Sequence, residues 1–229
     1  MDYKPEPHWS ECVKGPLKIE VCKGLDALGL RPSAHQVTLL CCYLEELAQW
    51  NKVYNLTAIQ DMDEMIVQHL FDCLAIIDPL RTYFKDVESV NVLDVGSGAG
   101  LPAVIIAILQ EQWRVTAIDA VNKKTAFIQQ AALKLKIKNL LATHARVENL
   151  AKKPERYDLI TSRAFSSLPD FINLTQQLLS PSGVWCAMKG KIPQDEIVSL
   201  GDMVDVFHVE QLQVPGMQAQ RCLVWMRPK

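Results

Sequence analysis

Hydrophobic and polar positions follow a helical period through the first third of the chain. Apolar residues at three-four spacing behind Ser33, a plausible N-cap, predict an amphipathic helix that runs to about Asn51. A second pattern begins at Asp61, whose carboxylate can cap the first turn, and continues until Pro79 ends the helix. The spacing therefore predicts that residues 17–80 are entirely helical.

The N-terminal segment lacks such a pattern. Pro5, Pro7 and Pro16 keep the first sixteen residues from regular structure, and a short helix then follows and ends at Gly29. We expect residues 1–16 to form a loose arm.

After Val90 the period changes to short apolar runs separated by helical stretches, which is typical of a parallel sheet with helices on both faces. The predicted strands lie near residues 90–95, 114–119, 139–144, 157–162, 183–188, 203–210 and 220–227, and the predicted helices span 102–110, 122–136, 169–179 and 193–200. Because the last two strands have only a short connection, they should form an antiparallel, hairpin-like edge. The predicted fold class is α/β, with a Rossmann-like sheet of about seven mostly parallel strands in residues 89–229 and a small helical subdomain in residues 17–88.

The composition is that of a globular protein and excludes a charge-dominated disordered chain. The chain has 229 residues, of which 49% are hydrophobic, and a net charge of -2. Residues 121–156 contain 9 basic and 2 acidic side chains, whereas residues 1–90 contain 8 basic and 14 acidic ones. The basic middle can contact phosphate, although lysines on a solvated helix face give the same count.

The cysteines and the first residues bear on the compartment. Seven cysteines without a C-x-x-C pair favour reduced thiols over a disulfide-stapled secreted fold, and no Cys/His pattern has zinc spacing. Acidic residues stand where a signal peptide needs an apolar core, and no apolar run approaches the roughly 18 residues of a membrane span. We expect a cytoplasmic protein without a metal site or a membrane segment.

Three glycines lie within five residues in VNVLDVGSGAGLPAVIIAI, between a predicted strand and a predicted helix. Glycines at this point let the backbone turn sharply and let a ligand lie against the main chain at the carboxyl edge of the sheet. The spacing Gly96-x-Gly98-x-Gly100 differs from the G-x-G-x-x-G turn that binds a pyrophosphate. The pattern therefore favours a nucleoside over a dinucleotide.

An acidic residue lies at the end of each of the first two predicted strands. Asp94 lies at the end of the first, and Asp119 ends the second, where a carboxylate can accept two hydrogen bonds from a ribose diol. S-adenosylmethionine fits these requirements because it carries an adenosine without phosphates. A nicotinamide-dependent oxidoreductase is the rival interpretation, disfavoured by the glycine spacing and by the lack of a recognisable catalytic Tyr/Lys or His/Asp pair.

Seven sequence blocks occur in an order that matches a known family. They are WNKVYNLTAI (50–59), HLFDCLAI (69–76), LDVGSGAGLP (93–102), NKKTAFI (122–128), ARVENL (145–150), SRAFSSL (162–168) and AMKGK (187–191). Through these blocks, roughly residues 24–229 resemble the small-subunit ribosomal RNA guanine-N7 methyltransferases called RsmG or GidB. The family often has Phe and Gly where this chain has Leu101 and Ala103, and Ser in place of Cys73, which bears on the shape of the pocket.

The resemblance implies S-adenosyl-L-methionine as cofactor. Carried over residue by residue, the family's contacts fall on Gly96, Leu101, Val147, Glu148 and Arg163; Gly98 of the glycine turn and Asp119, the ribose-binding acid, complete the predicted cofactor site. The planar fork of Arg163 suits either the methionine carboxylate of the cofactor or a phosphate of the substrate.

The resemblance also implies methyl transfer to nitrogen 7 of a guanine in 16S ribosomal RNA, as free RNA or in the 30S subunit, with no stable protein partner. Nitrogen 7 has a free lone pair, so no general base is required and no catalytic residue is assigned. The candidate RNA contacts are Lys123, Lys124, Arg146, Lys189 and Lys191, each of which can instead be a solvated side chain. Two alternatives stay open: a methyltransferase acting on another RNA or a small molecule, and a non-enzymatic RNA-binding assembly factor.

Overall fold

The computed structural model describes residues 15–152 and 155–229, so the predicted N-terminal arm lies almost wholly outside the described residues. Pro16, which was expected to prevent regular structure, is instead the first residue of helix α1 (Pro16–Ala27). Proline fits there because the N–H that it lacks has no partner in the first turn of a helix.

The elements before the sheet are all helices, as predicted. The elements are α1, α2 (Ala34–Tyr54), α3 (Met62–Met65), a π-helix (Ile66–Phe71), α4 (Asp72–Leu74) and α5 (Ile77–Tyr83). Ser33 caps α2 in a capping box, and the Asp61 carboxylate accepts from the N–H of Glu64 at 3.0 Å to cap α3. The prediction that Pro79 ends the third helix is wrong, because Pro79 lies in the first turn of α5, where its missing N–H breaks no hydrogen bond.

Seven strands form one sheet in the order β3-β2-β1-β4-β5-β7-β6. They are β1 (Asn91–Val95), β2 (Arg114–Asp119), β3 (Leu140–His144), β4 (Tyr157–Arg163), β5 (Leu179–Lys189), β6 (Val204–Leu212) and β7 (Arg221–Pro228), with helices α6 (Ala103–Leu109), α7 (Asn122–Lys134), α8 (Leu168–Thr175) and α9 (Gln194–Ser199) between them. Strands β1 to β5 pair in parallel, whereas β7 is antiparallel to both β5 and β6. The α/β class, the predicted elements and the antiparallel final pair are confirmed; the insertion of β7 between β5 and β6 was not predicted.

The helical segment and the sheet share a buried core. Leu40 and Leu44 of α2 belong to the same hydrophobic cluster as Ile105 of α6, and Trp50 packs on Phe127 of α7 with ring centroids 5.5 Å apart. A second cluster, which includes α8, covers the other face of the sheet. The division of the chain at residue 88 stays a prediction. No helix in the described part is long and apolar enough to cross a membrane.

Candidate functional site

The glycine turn connects β1 to α6 at the carboxyl edge of the sheet. Gly96, Gly98 and Gly100 have φ angles of 69°, 58° and 90°, which residues with a Cβ rarely adopt. A Cβ on Gly96 would lie 2.6 Å from the Phe165 ring, whereas one on Gly98 would meet no atom within 4 Å. The first glycine is therefore required both for the turn and for the close approach of Phe165.

Side chains from two other elements hold this turn in place. Asp119, at the end of β2, accepts from the N–H groups of Gly98 at 2.9 Å and Val121 at 2.8 Å. The hydroxyl of Tyr43 in α2 donates to the carbonyl of Ala99 at 2.7 Å. A carboxylate has about four acceptor positions, so Asp119 keeps positions for a ligand. The glycine turn is therefore held in a fixed shape, and Asp119 can still accept hydrogen bonds from a ligand.

Asp94 is buried beneath the turn. Its Oδ2 accepts from the hydroxyl of Ser97 at 2.6 Å and from the N–H of Ala103 at 3.3 Å, while its Oδ1 has no partner among the described residues. Burial raises the pKa of Asp94 to about 6, although the hydrogen bonds from Ser97 and Ala103 lower it. A buried acceptor without a donor is rare in proteins.

A cavity of about 360 Å³ opens beside the glycine turn, within the size range of small-molecule sites. Polar groups on its wall come from Asp119, Lys124, Arg146 and Glu148, and its apolar lining includes Val95, Ile118, Val147, Phe165 and Leu174. An apolar slot that contains carboxylates suits a flat heteroaromatic ring joined to a diol.

Of the predicted cofactor residues, Gly96, Asp119, Val147 and Glu148 line this cavity together. Gly98 is connected to the cavity through Asp119, because its N–H donates to the carboxylate of that residue. The structure places two others elsewhere: Leu101 is 3% exposed in the hydrophobic core, and Arg163 lies on the helical side of the sheet edge. For both, contact with a cofactor stays a prediction.

The predicted RNA contacts divide into two groups. Lys124 and Arg146 line the cavity, and Lys191 is exposed. Lys124 also lies 3.9 Å from the carboxylate of Asp119. These three cations face solvent or the cavity and are available to a polyanion.

Lys123 and Lys189 are instead hydrogen-bonded within the chain. Lys123 donates to the carbonyl of Tyr54 at 2.6 Å and so ties the end of α2 to the start of α7. Lys189 donates to the carbonyl of Ser166 at 2.9 Å and also forms an ion pair with Glu196 of α9. Sequence patterns show the charge of these lysines but not the carbonyl groups that face them.

A polar cluster lies next to this site, on the side of the sheet edge covered by the helical segment. Asp72 accepts from Nη1 of Arg163 at 3.1 Å and from Nε of Arg221 at 3.0 Å. Arg163 also donates to the carbonyl of Gln68 at 2.9 Å and approaches Nδ1 of His69 at 3.5 Å. Most of these groups belong to the π-helix and α4, and π turns often occur at functional sites. No sequence pattern marks this cluster, because its members come from three distant segments.

His69 is neutral in this cluster. Arg163 can only donate, so Nδ1 of His69 is an acceptor and its Nε2–H donates to the hydroxyl of Thr57 at 2.8 Å. Burial and the Arg163 guanidinium lower the pKa of His69 to about 4.

We expect the stability contributed by His69 to depend on pH. Its pKa rises from about 4 in the folded chain to an ordinary 6.5 on unfolding, so the unfolded chain binds the proton first and stability falls as the pH drops below 6.5. The stability advantage of the wild type over His69→Gln should shrink by about 2 kcal/mol between pH 7.5 and pH 5 in urea titrations. Asp94 titrates in both proteins, so its opposite contribution cancels. Identical pH profiles for the two proteins would contradict a buried neutral imidazole.

The chain is similar to known proteins over most of its length. The family model GidB, described as rRNA small subunit methyltransferase G, matches residues 36–224. A ribosomal RNA small subunit methyltransferase G from Leptothrix cholodnii is 51% identical over 206 residues, which cover 90% of this chain and 93% of that relative. Two solved structures share the fold: TrmN from Thermus thermophilus has a TM-score of 0.53 at 18% identity, covering 68% of this chain and 49% of that one. A SAM-dependent methyltransferase from Agrobacterium tumefaciens has a TM-score of 0.50 at 14% identity, covering 69% of this chain and 62% of that one.

Proposed function

Because the chain belongs to the family of rRNA small subunit methyltransferase G, we propose that it transfers a methyl group from S-adenosyl-L-methionine to nitrogen 7 of a guanine in 16S ribosomal RNA. The observation that carries this proposal is the cavity beside the glycine turn, where Asp119 keeps acceptor positions next to the main chain of Gly96. The carboxylate of Asp119 can bind a ribose at this position. The glycine spacing is not that of a pyrophosphate-binding turn, which argues against a nicotinamide cofactor.

The residues around the cavity fit S-adenosylmethionine. Asp119 would hold the ribose diol, and Val147 and Glu148, which line the same cavity, would bind the adenine ring through main chain and carboxylate. The unpartnered Oδ1 of Asp94 would receive the methionine ammonium group, directly or through one water. Arg163 is proposed to act at the methionine end, since the residue after it, Ala164, lines the cavity.

Catalysis in this proposal depends on alignment. The bound cofactor supplies an electrophilic methyl group on a sulfonium. Nitrogen 7 already has a lone pair, so no side chain has to remove a proton before transfer. Asp119 and the fixed glycine turn orient one reactant against the other, a contribution that reaches about 7–11 kcal/mol in well-oriented systems. Phe165 and Leu174 line part of the cavity and help to exclude water.

The basic residues of the site provide the contact with RNA. We assign phosphate contacts to Lys124 and Arg146, which line the cavity, and to Lys191, which is exposed, because such cations attract the RNA backbone. Lys123 and Lys189 support the rim through their internal hydrogen bonds. The partner is then 16S ribosomal RNA or the 30S subunit, and the compartment we infer is the cytoplasm.

Labelling with tritiated S-adenosylmethionine tests the proposed function. The protein is incubated with 30S subunits, free 16S RNA and tRNA, and the labelled nucleotide is then mapped by mass spectrometry. We expect label on nitrogen 7 of a single guanine in 16S RNA. Absence of label in every RNA would remove the activity, and label confined to tRNA would assign a different substrate.

Asp94 should make cofactor binding dependent on pH. Its pKa is about 6 in the free protein, and only the ionised carboxylate pairs with an ammonium group, so affinity should fall as the pH drops through 6. Calorimetry should show binding to be about tenfold weaker at pH 5 than at pH 7 in the wild type, while Asp94→Asn binds weakly at both. The ratio of the two proteins removes the titration of the cofactor itself. A ratio that does not change with pH would exclude Asp94 as the ammonium acceptor.

A further inference from the structure

Two arginines from separate strands share one buried carboxylate at the carboxyl edge of the sheet. Asp72 is 3% exposed and accepts from Arg163, the last residue of β4, and from Arg221, the first residue of β7. Each of its two oxygens takes one guanidinium, at 3.1 and 3.0 Å. Hydrogen bonds between charged groups are strong and directional, so this carboxylate determines where both guanidinium groups point.

The two arginines differ in the donors that remain to them. Arg163 donates to Asp72 and to the carbonyl of Gln68, and it also contacts the neighbouring imidazole. Arg221 uses Nε on Asp72 and Nη1 on the carbonyl of Gln220. Its Nη2 has no acceptor within the part of the chain that the structure describes, and its side chain is 25% exposed. Arg221 therefore keeps N–H groups for a ligand.

Arg221 also lies near the cavity. Ala164, which follows Arg163 in the chain, lines the cavity, and only β5 separates β4 from β7. Neighbouring strands are about 4.8 Å apart, so the main chain of Arg221 lies roughly 10 Å from the end of β4.

Resting on the proposed methylation of ribosomal RNA, we propose that Asp72 is a positioning residue that holds Arg221 with its free N–H groups directed at a phosphate of the RNA substrate. A guanidinium binds phosphate through paired N–H groups, and a guanidinium that is already fixed loses less side-chain entropy when it does so. Both guanidinium groups pair with the single carboxylate of Asp72, and the imidazole that Arg163 contacts is neutral, so this cluster favours an anionic ligand. Asp72 acts through Arg221 and does not itself touch the RNA.

A double-mutant cycle separates this role from a structural one. With saturating S-adenosylmethionine and 30S subunits as the substrate, the loss of kcat/KM for RNA caused by Asp72→Asn should be about tenfold larger when Arg221 is present than in the Arg221→Met background. Any effect through Arg163 or through folding persists in both backgrounds, so the cycle isolates the route through Arg221. Equal losses in the two backgrounds would overturn the proposal.

The salt dependence of RNA binding supplies an independent readout. Loss of one phosphate contact should lower the slope of log affinity against log salt by about 0.7–0.9 in Arg221→Met and in Asp72→Asn. Arg227→Met is the matched control: Arg227 forms a similar pair with Asp205, at 2.9 Å between β6 and β7, and its loss should leave the slope unchanged.

The two levels of the proposal fail in different ways. If Asp72→Asn does not fold, the slope of Arg221→Met decides alone, and an unchanged slope overturns the phosphate contact. If the wild-type protein labels no RNA, the proposed function fails instead, whatever the salt slopes show.

Discussion

Asp119→Ala should weaken the binding of S-adenosylmethionine by about 100-fold or more and abolish measurable turnover. The substitution removes a charged acceptor for two ribose hydroxyl groups, and hydrogen bonds to charged groups contribute about 1.5–3 kcal/mol each. It also leaves the N–H groups of Gly98 and Val121 without their acceptor, so the glycine turn loses its fixed shape. Calorimetry with S-adenosylhomocysteine measures the affinity directly.

Asp158→Ala is the matched control for this experiment. Asp158 also accepts a main-chain N–H, that of Asn91 at 2.9 Å, but it lies at the opposite, amino edge of the sheet. The two variants should lose similar amounts of stability, and only Asp119→Ala should lose the cofactor. A cofactor affinity within threefold of the wild type would show that Asp119 does not hold the ribose.

Gly96→Ala should lower the free energy of unfolding by about 3 kcal/mol, which combines a left-handed backbone penalty of about 1–2 kcal/mol with overpacking. The overpacking arises because the new Cβ would lie 2.6 Å from the Phe165 ring, while Gly98→Ala meets no neighbouring atom. Gly98→Ala should therefore cost only the backbone penalty. Displacement of Phe165 should also deform the cavity wall and weaken cofactor binding.

A second variant distinguishes the two causes. In the Phe165→Ala background the ring is absent, so Gly96→Ala should cost only about 1–2 kcal/mol, the same as Gly98→Ala. Chemical denaturation of the wild type, the three single variants and the Gly96→Ala/Phe165→Ala double variant measures these differences. A cost for Gly96→Ala that does not depend on Phe165 would place the strain elsewhere.

Most of the secondary structure could be predicted from the sequence, because it depends on residues that are close along the chain. The strand positions follow from short apolar runs, and the caps at Ser33 and Asp61 follow from side chains within three residues of the groups that they bind. The glycine turn and Asp119 were also identifiable, since a strand, three closely spaced glycines and a second strand with a terminal acid are consecutive features.

Local rules were insufficient where a residue has two compatible roles. Pro16 was expected to prevent regular structure and Pro79 to end a helix, yet each lies in the first turn of a helix, because the first turn does not use the N–H that proline lacks. Lys123 and Lys189 have the charge expected of RNA contacts and also donate to carbonyl groups of other segments, so their contact with RNA stays a prediction. A sequence pattern does not show which acceptors the fold brings near a lysine.

The amino-acid sequence by itself determined the helical segment, the alternation of strands and helices that builds the sheet, and the glycine turn, since each depends on residues that are close along the chain. The tertiary structure alone decided that β7 lies between β5 and β6 and that Asp72 meets both Arg163 and Arg221. Those arginines lie 91 and 149 residues from the carboxylate, so their contact exists only once packing closes the intervening chain.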